Sequence, residues 1–193
     1  MGINSPAGPV GGDARIAEAF SALTEGPANM FALEAGGAEP GARIRRPLPI
    51  FSTDIDRLRD EGLGALASAK RTGWRYLIEH GDGLTVMDLP EAGGQAPEML
   101  AGADVADNLV RSGKAAEGVA ERDTEYEARI LDLNLIGDSV LWLHSKDSSS
   151  VDRFVSFGDA PKEIDPAALS KRLRTAANRK ITAMDAAGDE AGG

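Results

Sequence analysis

Two glycine–aspartate pairs, each set between apolar stretches, constrain this chain more than any other feature. The first stretch reads Trp74-Arg75-Tyr76-Leu77-Ile78-Glu79-His80-Gly81-Asp82-Gly83-Leu84-Thr85-Val86-Met87-Asp88-Leu89. The second reads Ile130-Leu131-Asp132-Leu133-Asn134-Leu135-Ile136-Gly137-Asp138-Ser139-Val140-Leu141-Trp142-Leu143-His144. Glycine at the first turn position supplies the positive φ that a two-residue hairpin loop needs. The loop sets register, and register decides which side chains are buried. With Gly81-Asp82 as the turn, Leu77 pairs with Val86. Trp74, Tyr76 and Ile78 then share the other face with Thr85, Met87 and Leu89. With Gly137-Asp138 as the turn, Leu135 pairs with Val140, Leu133 with Trp142 and Leu131 with His144. Asp132 and Asn134 point the other way.

The flanking sequence supplies helices to cover those faces. Asp13 caps a helix to about Thr24, with Ile16, Phe20 and Leu23 on one side, and Gly26-Pro27 ends it. Residues 35–42 read as a linker. Arg43 to Phe51 is extended, because Pro47 and Pro49 forbid regular helix. Ser52 or Thr53 caps a helix that starts with Asp54 and Asp56, turns Ile55 and Leu58 inward, and breaks at Gly62-Leu63-Gly64. Pro97 opens a helix carrying Leu100, Val105 and Leu109, which Gly113 weakens. A fifth strand covers Val151 to Phe157. Asp165 and Pro166 start the last helix as N-cap and first helical residue. Its apolar stripe is Leu169, Leu173, Ala177, Ile181 and Met184. The expected fold is therefore α+β, a five-stranded, mainly antiparallel sheet packed with about three helices. Residues 1–42 are expected to form an N-terminal extension with a short helix, 43–185 a single domain, and 186–193 a disordered acidic tail.

A length of 193 residues allows one full core. The chain has no cysteine, which excludes disulfides, thiolate catalysis and cysteine-ligated zinc. A net charge of −10 opposes general nucleic-acid binding and leaves room for a basic partner. No apolar run approaches the roughly 20 residues that span a bilayer. Met1 to Gly12 lacks the basic and apolar regions of a signal peptide. A cytoplasmic location is expected.

The order of elements over residues 53–185, with Gly81-Asp82-Gly83-Leu84-Thr85-Val86, resembles the roadblock and longin domains, which are profilin-like α/β sandwiches. The resemblance implies an adaptor that pairs through sheet edges or helices. It is a likeness of fold and transfers function poorly.

The residues that could carry chemistry each have a plainer use. His80 lies at a hairpin tip and His144 near a strand end. With Asp82 or Asp147 they could form a catalytic pair, yet zinc needs more ligands. Ser148-Ser149-Ser150 lacks a nucleophile elbow and a base, and reads as a polar turn. Asp54, Asp56 and Arg59 suit a helix start, and the same holds for Asp104 with Asp107. Asp132 with Asp138 shows no metal-loop spacing. Arg45-Arg46-Pro47-Leu48-Pro49 is either a proline-rich ligand or an extended strap. Lys171, Arg172, Arg174, Arg179 and Lys180 make the last helix basic, which solvated faces explain and an acidic partner, RNA or a membrane surface could also use. No catalytic residue, metal or cofactor is assigned. The surface expected to meet a partner or ligand is Trp74, Tyr76, Trp142, His144, Arg172 and Arg179. The chain reads as a non-catalytic interaction or adaptor domain in a homo- or hetero-oligomer. The alternative is a sensor or enzyme whose pocket lies between sheet and helix near Trp74, Tyr76, Trp142 and His144.

Overall fold

A computed structural model describes residues 2–25, 42–81, 83–92, 95–100, 103–147 and 150–190. The chain runs through β1 (Ile3–Asn4), α1 (Gly12–Glu25), β2 (Arg43–Ile44), β3 (Leu48–Ser52) and α2 (Ile55–Glu61), then a 3-10 segment, Gly62–Ser68. Next come β4 (Lys70–His80), β5 (Gly83–Pro90), β6 (Glu98–Leu100), α3 (Ala103–Val119) and β7 (Tyr126–Leu133). A 3-10 turn, Asn134–Ile136, leads to β8 (Asp138–Ser145), β9 (Arg153–Ser156), β10 (Glu163–Ile164) and α4 (Pro166–Glu190).

The five-stranded antiparallel sheet with three helices is not what forms. The described residues make one mixed sheet of ten strands, ordered β10-β9-β8-β7-β3-β4-β5-β6, with β1 beside β7 and β2 beside β4. β3 and β1 run parallel to β7, and the other pairs are antiparallel. Four α-helices accompany the sheet among the described residues. The largest omission was β3, which joins the two halves. Its Pro49 cannot donate to a ladder, but β7 pairs only from Ile50 onward; on the β4 side Pro49 stands opposite Trp74, and the register shifts between Ile50 and Phe51. β1, β2 and β10 hold two residues each, too few for a hydrophobic period to declare itself. Glu98–Leu100, expected to lie in a helix, is the edge strand β6, and α3 then runs unbroken through Gly113.

The first hairpin has the expected register, with Leu77 opposite Val86, Tyr76 opposite Met87 and Trp74 opposite Leu89. Gly81 takes a φ of 48°, and Asp82 lies outside the described residues. The second hairpin is shifted. Leu131 faces Val140 rather than His144, a displacement of four residues, so Arg129 stands opposite Trp142 and Glu127 opposite His144. The loop is longer than the glycine–aspartate pair implied, because Asn134–Ile136 forms a 3-10 turn closed by Gly137 at φ 67°. An even displacement preserves the faces, so Leu131, Leu133, Val140 and Trp142 still share one apolar side. Leu135 lies in the loop and is exposed.

α3 covers one face, where Ala106, Leu109 and Ala116 meet Ile50, Val86, Ile130, Leu141 and Val155. The other face carries two separate covers. α1 places Ile16 on Trp74, Tyr76, Ile78, Met87 and Leu89. α2, the Gly62–Ser68 segment and α4 cover Leu131, Leu133, Val140, Trp142 and Phe154. Central β7 is therefore buried on both sides at Ile130 and Leu131.

The helix caps follow from local chemistry. Asp54, rather than Ser52 or Thr53, caps α2, accepting from the N–H groups of Asp56 at 2.9 Å and Arg57 at 3.2 Å. Asp165 caps α4 as expected, its carboxylate 2.8 Å from the N–H of Ala168. Leu169, Leu173 and Ala177 are buried, Ile181 is half-buried and Met184 is exposed. α4 continues to Glu190. Gly26-Pro27 and linker positions 35–41 lie outside the described residues.

Candidate functional site

The four aromatic and histidine positions expected to share a surface are divided between the two covers. Trp74 and Tyr76 lie under α1. The Tyr76 hydroxyl is buried beside Gly8 and Gly12, where even an added methyl at Gly12 would sit 2.3 Å from it. Burial pushes the Tyr76 phenol up to about 12. Trp142 and His144 come together on β8 at the other cover, ring centroids 5.2 Å apart. Arg172 of α4 is engaged by Asp138, with Nε 2.9 Å from the carboxylate. Arg179 is exposed further along the same helix.

Around Trp142 the sheet presents a groove of about 540 Å³. One wall is the 3-10 segment, contributing Leu63, Gly64, Leu66 and Ala67, with Ala69 just after it and Pro166 from the start of α4. The floor is Arg129 of β7, Trp142 and His144 of β8, and Phe154 of β9, with Val151 and Asp152 from the connection before β9. Apolar residues make this wall, small at Gly64, Ala67 and Ala69. Gly62 breaks α2 at φ 59°, and its missing side chain leaves room for Ser170 and Arg174 of α4. The segment that follows is held by a bond from the Leu63 N–H to Ser170 Oγ at 3.2 Å.

The polar groups of the floor are tied to one another. Asp152 accepts from Trp142 Nε1 at 2.8 Å, from the Ser145 N–H at 2.9 Å and from His144 Nδ1 at 3.2 Å. Nδ1 therefore carries the proton of a neutral ring, which leaves Nε2 as the acceptor. Arg129 lies over two rings, its guanidinium carbon 4.5 Å from the Phe51 centroid and 4.8 Å from that of Trp142. Its Nε donates to Glu127 at 2.7 Å. Nη1 and Nη2 have no acceptor among the described residues. Sequence reasoning missed both Arg129 and Asp152. The hairpin register placed Leu133 opposite Trp142, where Arg129 in fact stands, and Asp152 fell inside the expected strand Val151 to Phe157, which in fact starts at Arg153 and leaves Asp152 on the connection before it.

A second polar cluster was also missed, on the α3 face. Arg75 grips Asp88 through Nε at 2.8 Å and Nη2 at 2.7 Å, and Nη2 lies 3.6 Å from Asp132. Asp132 also accepts from Ser139 Oγ at 3.0 Å. Burial pushes the Asp132 carboxyl up, against the opposing pull of Arg75 and Ser139. These groups are mutually satisfied and act as a strut between the two halves of the sheet.

The remaining sequence candidates are scattered. His80 bonds Thr85 Oγ1 at 2.7 Å and packs its ring on Phe20, 5.1 Å between centroids. Asp56 and Asp60 both engage Arg59, while Asp54 is the helix cap. Asp104 and Asp107 are exposed on α3. Ser150 Oγ lies 3.3 Å from Thr124 Oγ1, and Ser148 and Ser149 lie outside the described residues. In the proline-flanked strap, Arg45 pairs with Glu79, Pro47 accepts from Ser5 and Leu48-Pro49 belongs to β3. No group of three metal-ligating side chains occurs among the described residues, and none of their helices is long and apolar enough to cross a membrane. No protein-family model, curated protein or solved structure matches the chain.

Proposed function

We propose that this chain is a non-catalytic protein-interaction domain that takes an extended segment of its partner, in a homo- or hetero-oligomeric assembly, into the groove above Trp142. The lining of that groove supports this reading. Its wall is apolar, with small residues at Gly64, Ala67 and Ala69, and Val151 in its lining is 66% exposed. The lining has no hydroxyl, thiol or amine side chain among the described residues, and its carboxylate, Asp152, already accepts from three donors.

The chain has two tryptophans, so Trp74→Phe leaves Trp142 as the sole indole reporter. Titrating that protein with end-capped peptides should give a saturable change in Trp142 emission. Ala67→Arg, which fills the groove from its wall, should abolish it. A flat response to peptides, with saturation by a small metabolite instead, would overturn the reading.

The Asp152–His144 pair favours a second reading, a small-molecule pocket. A carboxylate that orients Nδ1 and leaves Nε2 to a bound molecule is the arrangement of a positioned general base. A metabolite response lost in His144→Ala would support it.

A further inference from the structure

We infer that Arg129 receives an acidic side chain of the segment that occupies the groove; this rests on the interaction reading above and names the chemistry of its occupant. The arginines on this sheet set the comparison. Arg71 gives Nε and Nη2 to Glu91, at 2.8 and 2.6 Å, and Arg75 gives the same two atoms to Asp88. Arg129 gives only Nε, to Glu127. Phe51 and Trp142 both pack against its guanidinium, and the nitrogens left without a hydrogen-bond acceptor among the described residues are Nη1 and Nη2. That edge, Nη1 with Nη2, belongs to a side chain 17% exposed that lines the groove.

A planar two-donor edge packed against two aromatic rings matches the two oxygens of a carboxylate. The neighbouring acids do not compete for it. Glu127 takes Nε, and the charge of Asp152 is spread over Trp142, His144 and the Ser145 N–H. The source is an acidic side chain rather than a chain end. A terminal carboxylate is usually captured by free backbone N–H groups, and the free donors of the floor belong to a side chain in the middle of β7. Apolar neighbours of the acidic residue would lie along Leu63, Leu66 and Ala67.

The test uses full-length Trp74→Phe protein and two libraries of N-acetylated, C-amidated hexapeptides. One library fixes Glu at the third position and the other fixes Gln there; the remaining positions are drawn from Ala, Gly, Val, Leu and Phe. The Glu library should bind about ten- to a hundredfold tighter, the range of a desolvated charge-assisted contact. Arg129→Gln should erase that preference while Gln-library binding persists, and Arg129→Lys should restore only part of it. Melting curves check that each variant is folded. Equal binding of both libraries, or a Glu preference that survives Arg129→Gln, would overturn the inference and leave the groove reading intact. Binding of free-acid but not amidated peptides would overturn the side-chain source. Binding of neither library, with amidated or with free C-termini, would overturn the interaction reading, and the inference with it.

Discussion

The two tryptophans of this chain sit on the same face of one sheet in environments built from the same parts, and among the described residues Trp142 lines a groove while Trp74 packs under α1. Trp74 donates its indole N–H to Glu91 at 3.1 Å and carries Arg71 over its ring at 4.6 Å. Trp142 donates to Asp152 and carries Arg129 over its ring. At Trp74 one carboxylate serves both the indole and the arginine, so the set is closed. At Trp142 the indole and the arginine go to different carboxylates, and the arginine keeps two N–H-bearing atoms in hand. The covers differ in the same sense. α1 lays the buried Ile16 on Trp74, whereas the wall beside Trp142 is a 3-10 segment whose Ala67 and Gly64 leave a gap. The same chemistry is closed or left with free donors according to how the carboxylates are shared between indole and arginine.

The largest effects should fail to tell the two tryptophans apart by stability. Trp74 and Trp142 are each at most 3% exposed. Replacing either by Ala should cost about 3–5 kcal/mol in chemical denaturation. Peptide binding should separate them, abolished in Trp142→Ala and retained in folded Trp74→Ala. Loss in both would mean that the two halves behave as one site. Next in size is Ile16→Ala, which loosens the α1 cover at a cost of about 2–4 kcal/mol. In a Trp142→Phe background, where Trp74 is the only indole, it should red-shift emission. An unmoved spectrum would mean that α1 does not keep water from Trp74.

How much of this was legible depends on how local its causes are. The first hairpin was readable to the residue, because a two-residue glycine loop leaves one register and apolar alternation selects it. The Asp165 cap and the Leu169, Leu173, Ala177 stripe were readable for the same reason. At the second hairpin, Gly137 marked where the loop ends but not where it begins, and the extra 3-10 turn moved the pairing by four residues. The faces survived because four is even, whereas the partner of Trp142 did not. Arg129 was therefore invisible, as was the Arg75–Asp88–Asp132 strut, which needs β3 placed between β4 and β7. A parallel pairing between residues about eighty positions apart leaves no local signature.

A smaller effect sharpens the contrast between the arginines. Arg71→Gln removes a half-exposed ion pair and one ring contact, and should cost under about 1 kcal/mol. Arg129→Gln removes two ring contacts and the Glu127 bond from a more buried place, and should cost about 1–2 kcal/mol. Only the second should change the Glu-over-Gln preference in peptide titrations. A change of that preference in Arg71→Gln would extend the binding floor across β3 to β4.

The smallest effect distinguishes the two carboxylates that serve the tryptophans. The hydrogen bond from Arg71, aided by its charge and by the Trp74 indole, holds Glu91 below the usual carboxylate range, although burial opposes it. A carboxyl lowered in the folded state stabilises the fold above its unfolded value, near 4.5, and that contribution is lost as pH falls through the folded value. Glu91 is 40% exposed, so solvent and salt screen it and the contribution is about 0.5 kcal/mol or less. Wild type should therefore exceed Glu91→Gln slightly in urea midpoint at pH 7, and the two should converge as the pH drops below 4. High salt at pH 7 should narrow the same gap. A gap that persists at pH 3 would mean that Glu91 holds Trp74 by its shape and hydrogen bonding rather than by its charge. The closed site would then owe its rigidity to the indole bond that Trp142 also makes, and the free edge of Arg129 would be the remaining electrostatic difference between the two.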